Sequence, residues 1–131
     1  MPLARARVKA LVEETLRIER VTDALVSIAF VGTTAMARMN ARFLGHAGPT
    51  DVISFGMGRE LPSLPVVGDI YICVEVARRN AARLGHPLRD ELARLVVHGA
   101  LHVAGLDHPD DAARTNSPMW RRQERILARQ R

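Results

Sequence analysis

The sequence predicts an α+β fold, a small mixed sheet packed against several helices, and three observations lead there. From Asp69 to Glu75 the residues alternate, with Ile70, Ile72 and Val74 facing one way and Tyr71 and Cys73 the other, the period of a strand. Leu88, Leu92, Leu95, Val96 and Gly99 recur at helical spacing and fall on one face. Strand-like and helix-like segments follow one another irregularly, with neither an internal repeat nor a linker. A chain of 131 residues in that pattern is expected to form a single domain, residues 1–131, around one buried core.

Each element has its own signal. A first helix is predicted from Leu3 to Arg20, with Leu11, Leu16 and Ile18 among its apolar positions, and Val21 to Asp23 break it. Leu25 to Val31 is rich in branched residues and reads as a buried strand. Thr33 is placed as the cap of a helix reaching about Phe43. Gly45 and the stretch His46 to Pro49 make a loop before a short strand, Val52 to Phe55. The connection from Gly56 to Pro65 holds two glycines and two prolines, and the alternating strand follows. Another helix runs to about Leu84 and ends at Gly85, where glycine takes the left-handed conformation at little cost. After Pro87 comes a histidine-bearing helix, and a last helix spans roughly Pro118 to Arg129.

Composition narrows the class. The chain is 47% apolar and 25% charged, as in soluble globular domains. No apolar run has the length of a membrane span, and no signal-peptide pattern opens the sequence. The first twenty residues are basic and amphipathic, but Glu13, Glu14 and Glu19 are out of place in a transit peptide. Cys73 is the only cysteine, which excludes an intrachain disulfide, and its apolar setting suggests a buried small hydrophobe. A cytoplasmic protein is expected. The net charge is +5, and eighteen of the nineteen basic residues are arginine, compatible with a polyanionic partner. Arg121, Arg122, Arg125 and Arg129 of the last helix are most simply a solvated face.

The chemistry concentrates between His98 and His108, H-G-A-L-H-V-A-G-L-D-H. On a helix His98 and His102 stand one turn apart and point the same way. Gly105 can end that helix and Pro109 prevents its resumption, so the chain can return and present His108. Three imidazoles with no cysteine nearby make the pattern of a catalytic zinc site at the end of a core helix, its fourth position left to water or substrate. Glu91 shares the face of His98, but seven residues span about 10 Å of helix axis. It is expected to be a surface charge. Asp107 is a candidate to accept the outer N–H of a ligand imidazole, or simply to bond turn amides.

The spacing H-x-x-x-H-x-x-G-x-x-H also occurs in metzincin proteases, and Met119 lies downstream where a Met-turn would be sought. Those enzymes carry a glutamate directly after the first histidine, as the base for water. Here that position is Gly99, which removes the proton acceptor for peptide hydrolysis.

Two further segments stand with the histidine run: T-D-V-I-S-F at Thr50 to Phe55 and G-D-I-Y-I at Gly68 to Ile72, with Asn40 ten residues before Thr50. Over residues 25 to 127 the chain closely resembles the YbeY family of bacterial rRNA maturation factors. The resemblance implies a single-strand-specific, metal-dependent endoribonuclease that matures the 3′ end of small-subunit rRNA and serves ribosome quality control. It implies one zinc ion on His98, His102 and His108, and partners in single-stranded RNA, rRNA and the small ribosomal subunit rather than a membrane. The segments at Asp51 to Phe55 and Gly68 to Ile70 are implied to line a cleft floor, with Ser54 and Arg42 as candidate RNA contacts. Many members carry an arginine four residues after the motif asparagine, where this chain has Leu44, so Arg42 is the candidate substitute. Members also begin with a strand before the first helix, so this sheet is expected to be one strand short. No general base is identified. Two other readings stay open: a non-catalytic ribosome-assembly module with a metal site, and a metal-dependent peptidase or other hydrolase.

Overall fold

The computed structural model describes residues 3–56, 64–105 and 118–129. The chain forms α1 (Arg5–Ile18), β1 (Ala24–Val31), α2 (Thr33–Met39) and a π-helical turn (Asn40–Leu44). Then follow β2 (Val52–Gly56), β3 (Val66–Cys73), α3 (Val74–Leu84), α4 (Leu88–Val103) and α5 (Pro118–Arg129). The α+β expectation holds. Among the described residues the sheet has three strands in the order β1-β3-β2, with β3 parallel to β1 and antiparallel to β2. Also among them, no helix is long and apolar enough to cross a membrane.

The period of two on β3 sorts the interior into two clusters. Ile70 and Ile72 are fully buried in the main core, with Leu92, Val96 and Leu101 of α4. Cys73 belongs to the opposite face and is fully buried with Ile53 of β2 and Met36 of α2. The strand starts earlier than the alternation suggested, at Val66, and Val74 opens α3 instead of extending it. Its ladder stops on both sides at once: Cys73 is the last residue paired with β1, and Ile72 the last paired with β2. Cys73 N–H still donates to the Asp51 carbonyl at 2.8 Å, and beyond it the chain turns helical.

Other expectations need correction. The first strand is half-buried at best, and Leu25 is 66% exposed, because Ala24, Val26, Ile28 and Phe30 take the face packed on the main core and Leu25 falls on the other. Gly32, not Thr33, caps α2: the Gly32 carbonyl accepts the first helical bond from Met36 N at 3.0 Å, and no side chain caps it. The helix reaches Leu44 only by widening into a π turn, a conformation frequent at functional sites. Met119 lies inside α5 and is 1% exposed, so it forms no Met-turn.

α4 is the hub, packed against β2, β3, α1, α3 and α5. Of its 16 residues 11 are buried, so its apolar surface surrounds the helix instead of forming one stripe. Close approach to the sheet depends on glycine. A Cβ on Gly99 would lie 2.7 Å from Ile70 Cγ2, and one on Gly68 would lie 2.6 Å from both Val103 methyls. Helix propensity alone favours alanine at position 99 by about 1 kcal/mol. Packing wins here, because Ile70 is fully buried and its Cγ2 is not the free end of a flexible chain. Gly99→Ala should therefore lose about 1–3 kcal/mol through overpacking. Urea unfolding checks this: a lower midpoint is expected, and an unchanged or higher one would mean the interface has slack.

Candidate metal centre

Burying α4 on all sides places a constraint on His98, which is only 8% exposed. A buried imidazole must find partners for its ring nitrogens within the protein. One comes from α5. The inward stripe of that helix is Met119, Gln123, Ile126 and Leu127, so a single polar residue stands in an apolar row. Gln123 is 1% exposed, and its Oε1 lies 2.7 Å from His98 Nδ1. The amide orientation is decided by its other end, where Gln123 Nε2 donates to Glu124 Oε2 at 3.0 Å. Turning the amide over would set oxygen against carboxylate. Gln123 therefore presents an acceptor, and His98 Nδ1 carries the proton.

That tautomer puts the lone pair of His98 on Nε2, the form in which imidazole binds a metal. His102, half-buried, lies one turn further along α4, its ring centroid 4.9 Å from that of His98 at an interplanar angle of 68°. α4 ends just beyond, at Val103, and Gly105 has φ 107°, in agreement with the predicted stop. Two neighbouring imidazoles, one with its tautomer fixed for ligation, suit a borderline-soft divalent cation. The predicted third ligand His108 and its neighbour Asp107 lie outside the described residues. Among the described residues no three metal-binding side chains converge.

An ionic network stands behind this pair. Arg94 donates from Nε and Nη2 to both oxygens of Glu124, at 2.9 and 3.1 Å, and from Nη1 to Glu91 Oε1 at 3.3 Å. Glu91 is thus not a surface charge. It is 5% exposed, in the first turn of α4 and on the wall of the His98 cavity. Burial raises its pKa above the ordinary glutamate value of 4.5; nearby Arg94 opposes the rise and Asp51 reinforces it. The cavity holds about 440 Å³ and is also lined by Asp51, Leu84, His86 and Trp120. Asp51 is held by the Val52 amide at 2.8 Å and by Asn80 Nδ2 at 3.2 Å.

The remaining candidates stand apart from this cavity. Ser54 is half-buried on β2, paired with Ile70, and so shares the sheet face that meets α4. Arg42 is exposed in the π turn, its guanidinium 5.3 Å from the centre of the Phe43 ring. Leu44 ends the same turn and is 48% exposed. Asn40, 4% exposed, donates to the Gly48 carbonyl at 2.8 Å and so ties this turn to the loop before Thr50.

The sequence reading passed over Gln123, Arg94 and Glu124. A signal for Gln123 was present: a lone amide in the stripe Met119, Gln123, Ile126, Leu127 has to answer a polar group on a facing element.

Comparison with known proteins identifies the family. The family model described as "Endoribonuclease YbeY" matches residues 2–131. The chain belongs to the endoribonuclease YbeY family. The Thermobifida fusca (strain YX) member is 35% identical over 132 residues, covering 94% of this chain and 81% of that one. The Geobacillus kaustophilus (strain HTA426) member is 37% identical, covering 93% and 83%. A solution structure from Thermotoga maritima superposes with a TM-score of 0.66 at 28% identity, covering 95% of this chain and 79% of that one. The YbeY match takes in α1 as well, beyond the segment from residue 25 in which the resemblance was seen.

Glu91 provides a test of the network. Its folded pKa lies above 4.5, so the folded chain holds that proton to higher pH than the unfolded chain does. Its contribution to stability is therefore lost as pH rises above about 4.5. Glu91→Gln should remove this loss: the stability difference between variant and parent should move in favour of the variant from pH 4.5 upward. Urea unfolding over a pH series measures it, and a difference that does not vary with pH would contradict the burial effect.

Proposed function

We propose that this endoribonuclease cuts single-stranded RNA at a zinc ion held by His98, His102 and His108, one ion per chain, within a single domain of residues 1–131. Its substrate in the cell is the 3′ region of small-subunit rRNA, met in the cytoplasm on or beside the small ribosomal subunit, where it also serves ribosome quality control. The observation that carries the reading is the His98–His102 pair, with Gln123 fixing the first ring in the ligating tautomer.

When bound, zinc would supply a Lewis acid toward a phosphoryl oxygen and would bring the pKa of water down to about 7. The protein's own part is positioning and attraction. His98 and His102 present nitrogens from one helical face, and Gln123 keeps the first of them from rotating. Ser54 and Arg42 are assigned to phosphate contact, and Asp107 to the outer N–H of a ligand ring. The net charge of +5 raises the local concentration of a polyanion and makes binding salt-sensitive. Phosphodiester cleavage fits the absence of a glutamate after His98 better than peptide cleavage does. Position 99 is pressed against Ile70, with no room for a carboxylate.

The test is incubation of the purified chain with an unstructured RNA oligonucleotide and with the same sequence as a duplex. Chelation, His98→Ala and His102→Ala should each slow cleavage of the single strand by about 100-fold or more. The duplex should remain whole. Intact single-stranded RNA in every lane, with binding to small subunits retained, would identify a non-catalytic assembly module instead.

A further inference from the structure

We infer that Gln123 is a positioning residue for the metal centre: locked by Glu124 and Arg94, it holds His98 in the Nδ1–H tautomer and at one ring angle. The inference extends the zinc reading of His98, but its first readout needs no metal.

Four side chains stand in line. Arg94 is 12% exposed and grips both oxygens of Glu124, a two-pronged contact that fixes the plane of the carboxylate. Glu91, 6% exposed at its side chain, occupies a further nitrogen of the same guanidinium and keeps it from turning. Glu124 Oε2 then accepts from Gln123 Nε2, which leaves Oε1 as the atom facing His98. The last bond, 2.7 Å long and buried, asks for a proton on Nδ1. Every group in the line has its donor or acceptor role set by the one before it. The order therefore runs from a permanently charged guanidinium to the ring of His98.

Placement adds a second function. Arg94 and His98 lie on α4, and Gln123 and Glu124 on α5. The same contacts that orient His98 clamp the two helices on either side of the connection carrying His108. A glutamine serving only as filler in the α5 stripe would be replaceable by leucine, which has nearly the same volume and sits well among Met119, Ile126 and Leu127. A positioning residue would not be, because leucine cannot accept a hydrogen bond.

The experiment uses the full chain as Gln123→Leu and Gln123→Glu. In the metal-free protein at pH 8, long-range nitrogen–proton NMR reports which nitrogen of His98 bears the proton. The parent should show the Nδ1–H form. Gln123→Leu should raise the Nε2–H population by about tenfold or more, as loss of a buried hydrogen bond requires. Gln123→Glu should keep Nδ1–H, since its oxygen toward Glu124 takes a proton in place of the amide N–H and the other oxygen then accepts from His98, and this variant serves as the test if Gln123→Leu fails to fold. Competition with a chromogenic chelator then measures zinc affinity, which should fall about 10–100-fold in Gln123→Leu. An unchanged tautomer in Gln123→Leu, or Nε2–H in the parent or in Gln123→Glu, would overturn the inference. A shifted tautomer in a protein that never binds zinc would leave Gln123 as the residue that orients His98 and overturn its role at a metal centre.

Discussion

The structure depends on a single demand: a helix buried on every side can carry a polar group only if a neighbour answers it. α4 touches sheet and helices alike, and four of its non-apolar positions show the consequence. His98 is met by Gln123, Glu91 and Arg94 meet each other and Glu124, and residue 99 has no side chain because Ile70 fills the space. The fold and the candidate centre are thus one problem in packing. α5 closes the core with Met119, Ile126 and Leu127, and in the same turns delivers the two residues that orient the histidine.

Much of this was legible in the chain itself, for a physical reason. Where a boundary is fixed by local chemistry, as at Gly85 and Gly105 with their positive φ, sequence and structure agree. The alternation through Ile70, Tyr71, Ile72 and Cys73 separated the two faces of β3, since period two is a property of the strand alone. What was not legible depends on neighbours. β1 looks like an interior strand, yet the exposure of Leu25 follows from which face of the sheet the helices cover, which no local pattern encodes. Glu91 looks like a solvated charge because its burial is imposed by elements distant in sequence. The spacing of His98 and His102 announced the pair, whereas the bond to Gln123 spans 25 positions and required the docking of α5.

The chemistry follows from what surrounds the pair. A glutamate beside the first histidine is what a zinc protease would need, and the contact of Gly99 with Ile70 leaves no space for it. The proposed centre would bind a cation without a carboxylate base in that position, which suits a reaction whose leaving group and attacked centre are already oxygen-rich. Membership of the endoribonuclease YbeY family and the arginine-rich composition point the same way.

The most direct measurement is zinc K-edge absorption on the full chain. Imidazole scattering at about 2.0–2.1 Å, without sulfur and reduced when His102 is replaced by alanine, is the result this account predicts. Zinc that shows no imidazole scattering, or a spectrum indifferent to His102, would contradict it.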